Sequence, residues 1–340
     1  MRCGSCGRES PDSYKFCEFC GSILAKAIDL RDSRLEGPRQ MVVRAIHERA
    51  KTDRIVSPLW IVVIILVEIL ALVLDVVLTF WYWNTSLPFD SPSSLSYTWI
   101  QTVTGLISFL ATIIIAWFFY TLVKRQNDHY NREASLRIGV SSLIRAAAWS
   151  PERTNDVAPE MMAISMVERR QEQHRSVWFW TFVILLPSIA SVATSVGTQI
   201  YFGSDSSGEY YDMSTVALLI PSVAAALIAL VLTLYMFYFL TQTMMEHDSR
   251  WNSFAYNSRR ALSKLGFPTG RPYRVSRLPE RSMVLYILLT IFTGIFALYW
   301  MYVLAKDPNE HFKYQWEFED NFMSAISPVE SWATYSASRR

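Results

Sequence analysis

A chain of 340 residues that is 51% hydrophobic and only 18% charged falls outside the range of ordinary soluble domains, which carry about 25% charged residues. Its apolar residues are bunched into runs near 20 residues long, which excludes a large water-soluble helical core and points to a multi-pass membrane protein. The formal net charge of +2 conceals a strong asymmetry between segments.

All four cysteines lie in the first 20 residues, as Cys3-Gly-Ser-Cys6, then ten residues, then Cys17-Glu-Phe-Cys20-Gly21. Two Cys-x-x-Cys knuckles at this spacing place four thiolates tetrahedrally around Zn²⁺ at about 2.3 Å. Gly4, Gly7 and Gly21 supply the permissive backbone that such turns need. Disulfides are the competing reading, and a reducing cytoplasm argues against them. The stretch from Met1-Arg-Cys3 through Lys15-Phe-Cys17 to Gly21 resembles the short zinc ribbons that open many archaeal and bacterial proteins. The resemblance implies one structural Zn²⁺ on Cys3, Cys6, Cys17 and Cys20 in a small β module over residues 1–24, and nothing catalytic. Within it Arg2, Arg8 and Lys15 offset Glu9, Asp12 and Glu18. A phosphate-binding surface would be basic, so a protein partner or a purely structural role is expected rather than nucleic acid. Residues 25–40, with Gly37-Pro38, read as a short helix and linker.

The apolar runs are Leu59–Tyr82, Trp99–Val123, Val177–Ile200, Thr215–Leu240 and Met283–Leu304. Trp60, Trp81, Trp83, Trp99, Trp178, Trp180, Tyr299 and Trp300 crowd their ends, as aromatic rings do at headgroup level. The connections Trp83–Tyr97 and Phe202–Ser214 contain no Lys or Arg, whereas Lys124–Arg175 holds nine and Met244–Arg281 eight. Positive-inside logic places the two basic segments and the N-terminus in the cytoplasm of a cell-membrane protein. Residues 1–24 have no apolar core, so no secretory signal is expected there. The segment Met244–Arg281, eight basic against three acidic residues, is suited to anionic lipid headgroups.

The chain also repeats itself. Met41, Glu48-Arg49 and Trp60 recur 120 residues later as Met161, Glu168-Arg169 and Trp180, and Tyr120, Leu122 and Asp128-His129 recur 118 later as Tyr238, Leu240 and Glu246-His247. Two copies follow, 41–158 and 159–270, each with a cytoplasmic helix, a membrane hairpin (59–82 with 99–123, and 177–200 with 215–240), an acid-His step, and an amphipathic cytoplasmic helix. A shortened third unit, 271–340, runs from Glu280-Arg281 through Tyr302 and Leu304 to Glu310-His311, and closes with a C-terminal helix. From the Glu-Arg pair to the acid-His pair the distances are 80, 78 and 30 residues, and two crossings of about 20 residues do not fit the last. Either residues 283–304 cross once, or they form a re-entrant hairpin turning at Thr293-Gly294. A common orientation of the three acid-His steps favours the hairpin. The stretch Leu288 to Trp300, followed by Asn309-Glu310-His311, resembles an uncharacterised prokaryotic membrane-domain family with the pattern Thr-x-Gly-Ile-Tyr-x-x-Tyr-Trp. Phe296 stands here for the usual Tyr, and the resemblance implies no activity.

Two sets of residues are candidate sites. Glu68 and Asp75, seven residues apart in the first run, share a helix face. Ionisable groups at such depth suggest either a proton or cation pathway or a protonated contact between helices. Ser188 and Ser195 sit at the same offset in the second copy, and Gln101, Ser108 and Thr112 add polar positions. His129, His247 and His311 occupy one repeat position, each preceded by an acid (Asp128, Glu246, Glu310). They either meet and bind a divalent metal or are three copies of a local elbow that ends a membrane helix. His47 and His174 lack this register and read as surface residues. No His-Glu-x-x-His, Gly-x-Ser-x-Gly or phosphate loop is present, so an enzyme is not expected. The sequence therefore reads as an all-α membrane protein of duplicated hairpins, a shortened third unit and a β zinc ribbon. Its expected role is a scaffold or regulator recruiting a protein partner at the membrane, or alternatively a channel or transporter using Glu68 and Asp75.

Overall fold

The computed structural model describes residues 3, 6–9, 17, 19–20, 30–85, 94–170, 172–202, 213–267 and 278–326, without side chains for 82–101, 195, 197–202, 213–219 and 222. The described residues form an all-helical protein with no strand; most of the segment expected to be a β ribbon, and residues 86–93 and 203–212, lie outside them. Four helices are long and apolar enough to cross a membrane, with spans inside Leu59–Trp81, Thr102–Ala147, Val177–Thr194 and Val223–Lys264.

Helix α1 covers Ser33–His47, opened by Asp32, whose carboxylate accepts from the Arg34 N–H at 3.0 Å. Of residues 25–40, read as a short helix and linker, 33–40 are helical and 25–29 lie outside the described residues. Pro38 is tolerated because the carbonyl one turn back, that of Arg34, sits at the exposed end of the helix. Leu35, Val42, Ala45 and Ile46 make its buried stripe. A single turn, α2 (Arg49–Thr52), leads to α3 (Leu59–Thr85).

No elbow ends the membrane run at the acid-His step of the first two units. α4 (Ser94–Ala147) and α7 (Met213–Lys264) are continuous helices of 54 and 52 residues, each about 80 Å long against an apolar bilayer core of about 30 Å. No proline lies between Val123 and Ala147 or between Leu240 and Lys264, so nothing stops the backbone from propagating past the apolar run. Between the long helices, α5 (Pro151–Glu168) packs on α7, and α6 (Val177–Phe202) packs on both α4 and α7.

The run 283–304 is broken where Thr293-Gly294 suggested. α8 (Met283–Thr293) ends at Gly294, whose φ of +63° places it where a side chain would be strained, and α9 (Phe296–Ile326) begins two residues on. Arg281 pairs with Asp307 at 2.9 Å, and the Tyr286 ring lies 5.0 Å from Phe296 and 5.4 Å from Trp300. These contacts fold α8 back on α9 as an antiparallel helical hairpin. At 11 residues, α8 extends only about 16 Å, too little for a crossing. Pro308 within α9 cannot donate to the carbonyl of Leu304. The buried Arg125 guanidinium does so instead, donating to Leu304 O at 2.8 Å and to Asn309 Oδ1 at 2.8 Å.

Two apolar cores result. One joins α3, α4, α6, α7, α8 and α9 around Phe118, Phe119, Phe237 and Trp300. The other joins α1, α4, α5, α7 and α9 around Val42, Leu143, Ile164, Trp251 and Phe322. Between them lies a layer of buried polar and charged groups from Arg125 to Glu133 and from Asp307 to Glu319.

The second core includes a close crossing at Gly139 of α4, where an added Cβ would lie 3.0 Å from Val42 Cγ2 and 3.1 Å from Val42 N. Gly139→Ala is expected to destabilise the protein by about 1–3 kcal/mol through overpacking. Gly37→Ala, which meets nothing within 4 Å, should be neutral or gain up to about 1 kcal/mol of helix propensity. Thermal unfolding of the detergent-solubilised variants distinguishes them, and equal shifts would rule out the close crossing.

Candidate metal centres

Two groups of side chains bring ligand atoms together. The first is Cys3, Cys6, Cys17 and Cys20, whose sulfurs all lie within 4.8 Å of one another. Cys3 Sγ is 3.5 Å from Cys20 Sγ, and Cys6 Sγ is 3.5 Å from Cys17 Sγ. Thiolates around a tetrahedral Zn²⁺ stand roughly 3.8 Å apart, so these four fit such an ion. The Gly7 N–H donates to Cys3 O at 2.9 Å, and the Cys3 N–H to Arg8 O at 2.8 Å. Gly7 itself has φ +72°, which closes the first knuckle.

The second group is His129, Glu133, His247 and His311, all buried, with one ligand atom from each within 4.8 Å of the others. It lies in the polar layer, six or seven residues beyond the apolar runs that end at Val123, Leu240 and Leu304. The histidines come from α4, α7 and α9, and their ring centroids are 5.0 to 5.4 Å apart. Nε2 of His129 is 3.1 Å from Nε2 of His247. A carboxylate oxygen of Glu133 stands 2.7 Å from His247 Nε2 and 3.4 Å from His129 Nε2, and Arg137 pairs with the same carboxylate.

Each histidine is oriented by a carboxylate at its other nitrogen. Nδ1 of His129 is 2.9 Å from Asp53, that of His247 is 3.0 Å from Glu172, and that of His311 is 2.8 Å from Asp248. Asp53 also accepts from Arg132 Nε at 3.1 Å, from Arg132 Nη2 at 2.7 Å and from Trp316 Nε1 at 2.9 Å. Glu172 accepts from Nε and Nη2 of Arg250 in the same way. The acid, histidine and arginine thus recur at offsets of 119, 118 and 118 residues. Asp248, beside His247, serves the third histidine. Its second oxygen accepts from the Leu278 N–H at 3.1 Å.

Burial would raise the Asp53 carboxyl, but His129, Arg132 and Trp316 outweigh it and hold the group well below the usual carboxylate range. Glu172 is likewise lowered against its burial, by His247 and Arg250. Burial drives His311 down to about 4, helped by the neighbouring His247 and His129 and opposed by Asp248. Its imidazole is therefore neutral at pH 7.

The three sequence-aligned histidines do meet, but not as elbows, since each lies inside a continuous helix. The acids that precede them stay out of the group. Glu246 pairs with Arg250 and Glu310 with Lys306, because the residue before a ligand points about 100° away around the helix. The carboxylates that reach the histidines, Glu133, Asp53, Glu172 and Asp248, were not among the sequence candidates. Glu133 had a readable signal, one turn after His129 on the same helix face. Asp53 and Glu172 follow the aligned Arg49 and Arg169 by four and three residues. His47 and His174 are exposed, as expected.

Glu68 and Asp75 are both exposed on α3 rather than sealed between helices. Of the polar positions near them, Thr112 and Ser188 join α4 to α6 through a 2.8 Å hydrogen bond. The side chains of Gln101 and Ser195 lie outside the described residues.

Asp53→Asn removes the charge that neutralises Arg132 and weakens the acceptor at His129 Nδ1, in a site with 0% exposure of these side chains. It is expected to cost about 3–5 kcal/mol, read as a lowered thermal unfolding midpoint. His174→Ala at an exposed position should shift it little. A wild-type midpoint for Asp53→Asn would show that this carboxylate does not hold the layer together.

Comparison of the chain with protein-family models, with curated proteins and with solved structures finds no match in any of the three.

Proposed function

We propose that this chain is a multi-pass protein of the cell membrane that acts as a scaffold or regulator on the cytoplasmic side, with both termini in the cytoplasm. Its membrane part is a duplicated hairpin unit with a re-entrant third hairpin at Gly294, and its first segment is a zinc ribbon with one structural Zn²⁺ on Cys3, Cys6, Cys17 and Cys20. Four thiolates close the shell and leave no position for substrate. The observation that carries the reading is the continuity of α4 and α7, which run from the membrane core into a second packed core without a hinge. A body built this way transmits position rather than conducting ions. Phe118, Phe119, Phe237 and Trp300, each no more than 4% exposed, fill the space a pathway would need, and Glu68 and Asp75 do not line it. Residues such as Phe19 on the ribbon, 51% exposed and covered on one side by Arg8, offer a small apolar contact for a protein partner. The basic cytoplasmic segments favour anionic headgroups beside it.

Two measurements test this. Cysteine at Ser207 should react with a membrane-impermeant maleimide in intact cells, whereas cysteine at the exposed Ser324 of α9 should react only after permeabilisation. Reaction of Ser324→Cys from outside would reverse the orientation or make 283–304 a crossing. Proteoliposomes carrying the full chain should show no proton or cation flux, and a photo-crosslinker at Phe19 should give one discrete protein adduct in native membranes. Flux in the wild type that is lost in Glu68→Gln/Asp75→Asn would replace the scaffold with a channel.

A further inference from the structure

We infer that His129, Glu133, His247 and His311 form a second metal centre, separate from the thiolates, which takes one divalent transition-metal ion and ties α4, α7 and α9 together. The inference goes beyond the scaffold reading and does not depend on a partner.

The tautomers come first. The Nδ1 atoms of the three histidines each face a carboxylate, Asp53, Glu172 or Asp248, at 2.8 to 3.0 Å. That partner fixes the proton on Nδ1 and leaves a lone pair on Nε2. The Nε2 atoms of His129 and His247 meet at 3.1 Å, and a Glu133 oxygen lies 2.7 Å from the latter. His311 Nε2 is buried with no hydrogen-bond partner. Its Nδ1 is held by Asp248, so the nitrogen it contributes to the four-residue group is Nε2. Three lone pairs and an anionic carboxylate thus converge in a site shielded from water.

Arg137 pairs with the other Glu133 oxygen, but the converging lone pairs still require a proton or a cation between them. A shared proton is the simplest candidate, but one proton bridges only two acceptors. It can link His129 to His247, or either to Glu133, and His311 Nε2 remains buried and unpartnered, which is unfavourable. A metal ion satisfies all four at once. Nitrogen ligands of a tetrahedral Zn²⁺ stand roughly 3.3 Å apart, close to the 3.1 Å between His129 and His247. Carboxylates on the far nitrogens are also what metal-bound histidines carry, since they set the ring angle and raise ligand basicity. Arg132 and Arg250 in turn fix Asp53 and Glu172.

The donor set selects the ion. Three imidazoles and one carboxylate suit Zn²⁺, Co²⁺, Ni²⁺ or Fe²⁺, whereas Mg²⁺ and Ca²⁺ require six or more oxygens. All four donors come from protein, so the centre is a closed staple rather than a catalytic site. It joins three segments that are 118 and 64 residues apart in the chain, at the level where the membrane core gives way to the cytoplasmic core.

The test uses the full chain in detergent, stripped with chelator and reloaded with Zn²⁺ or Co²⁺. Elemental analysis should give two ions per chain, and X-ray absorption a nitrogen/oxygen shell beside the sulfur shell. Glu133→Gln keeps the size of the side chain and should weaken the nitrogen/oxygen site at least tenfold while the thiolate site stays filled. Cys17→Ser should do the reverse, leaving the nitrogen/oxygen ion in place. A single ion with only sulfur neighbours in the wild type would overturn the proposal, as would unchanged affinity in Glu133→Gln. Displacement of the ion by Mg²⁺ or Ca²⁺ at equal concentration would overturn the assigned class of metal.

Discussion

Charged groups taken out of water must find partners, and the structure turns on a layer where nearly all its buried charges do so. Arg125, Arg132, Glu133, Asp53, Asp307 and Glu319 are each at most 4% exposed, and none belongs to either apolar core. An unpaired ion here would cost several kcal/mol, which explains the density of two-point contacts. Arg132 spans Asp53 and Glu319, and Arg125 bridges Leu304 O and Asn309 Oδ1 on either side of Pro308. Asn309 accepts from the Val56 N–H and donates to its carbonyl, which secures the approach to α3. The layer therefore joins the two cores as well as separating them. Helices that break inside it would leave backbone groups without partners, and α4 and α7 do not break.

The same demand explains the uneven third segment. In the first two, the acid that holds each histidine precedes it by 76 and 75 residues, on the connection that enters the membrane hairpin. The third has only a short hairpin, and the equivalent position after Arg281 is the apolar Val284. Asp248 of α7 takes over, one residue from a histidine it does not touch, because the two side chains leave the helix on different sides. The substitution keeps three imidazoles equivalent at their outer nitrogens while their sources differ.

Two cores connected in this way move as one. The carboxylates on Asp53 and Glu172 lie on the segments that lead into α3 and α6, and the histidines they hold lie on α4 and α7. Whatever occupies the space between the imidazoles therefore acts on the entry of four membrane helices together.

Much of this was legible in the residues. Apolar runs marked the helices able to cross a membrane, since length and hydropathy alone decide that class. Cysteine spacing marked the first ligand group, and internal register singled out His129, His247 and His311. Thr293-Gly294 marked the hairpin because a positive φ is local chemistry. Helix continuity past Val123 and Leu240 was not legible, because an elbow at the acid-His step stayed open as an alternative although no proline lies there. Glu68 and Asp75 looked buried because the sequence places them in a membrane run, yet which side of α3 is covered depends on how far its neighbours extend. Glu133, Asp53, Glu172 and Asp248 are ordinary acids along the chain. Only tertiary packing, which brings segments 75 or more residues apart within 3 Å in the first two cases of the histidine pairs, decides that these carboxylates rather than Asp128, Glu246 or Glu310 face the imidazoles.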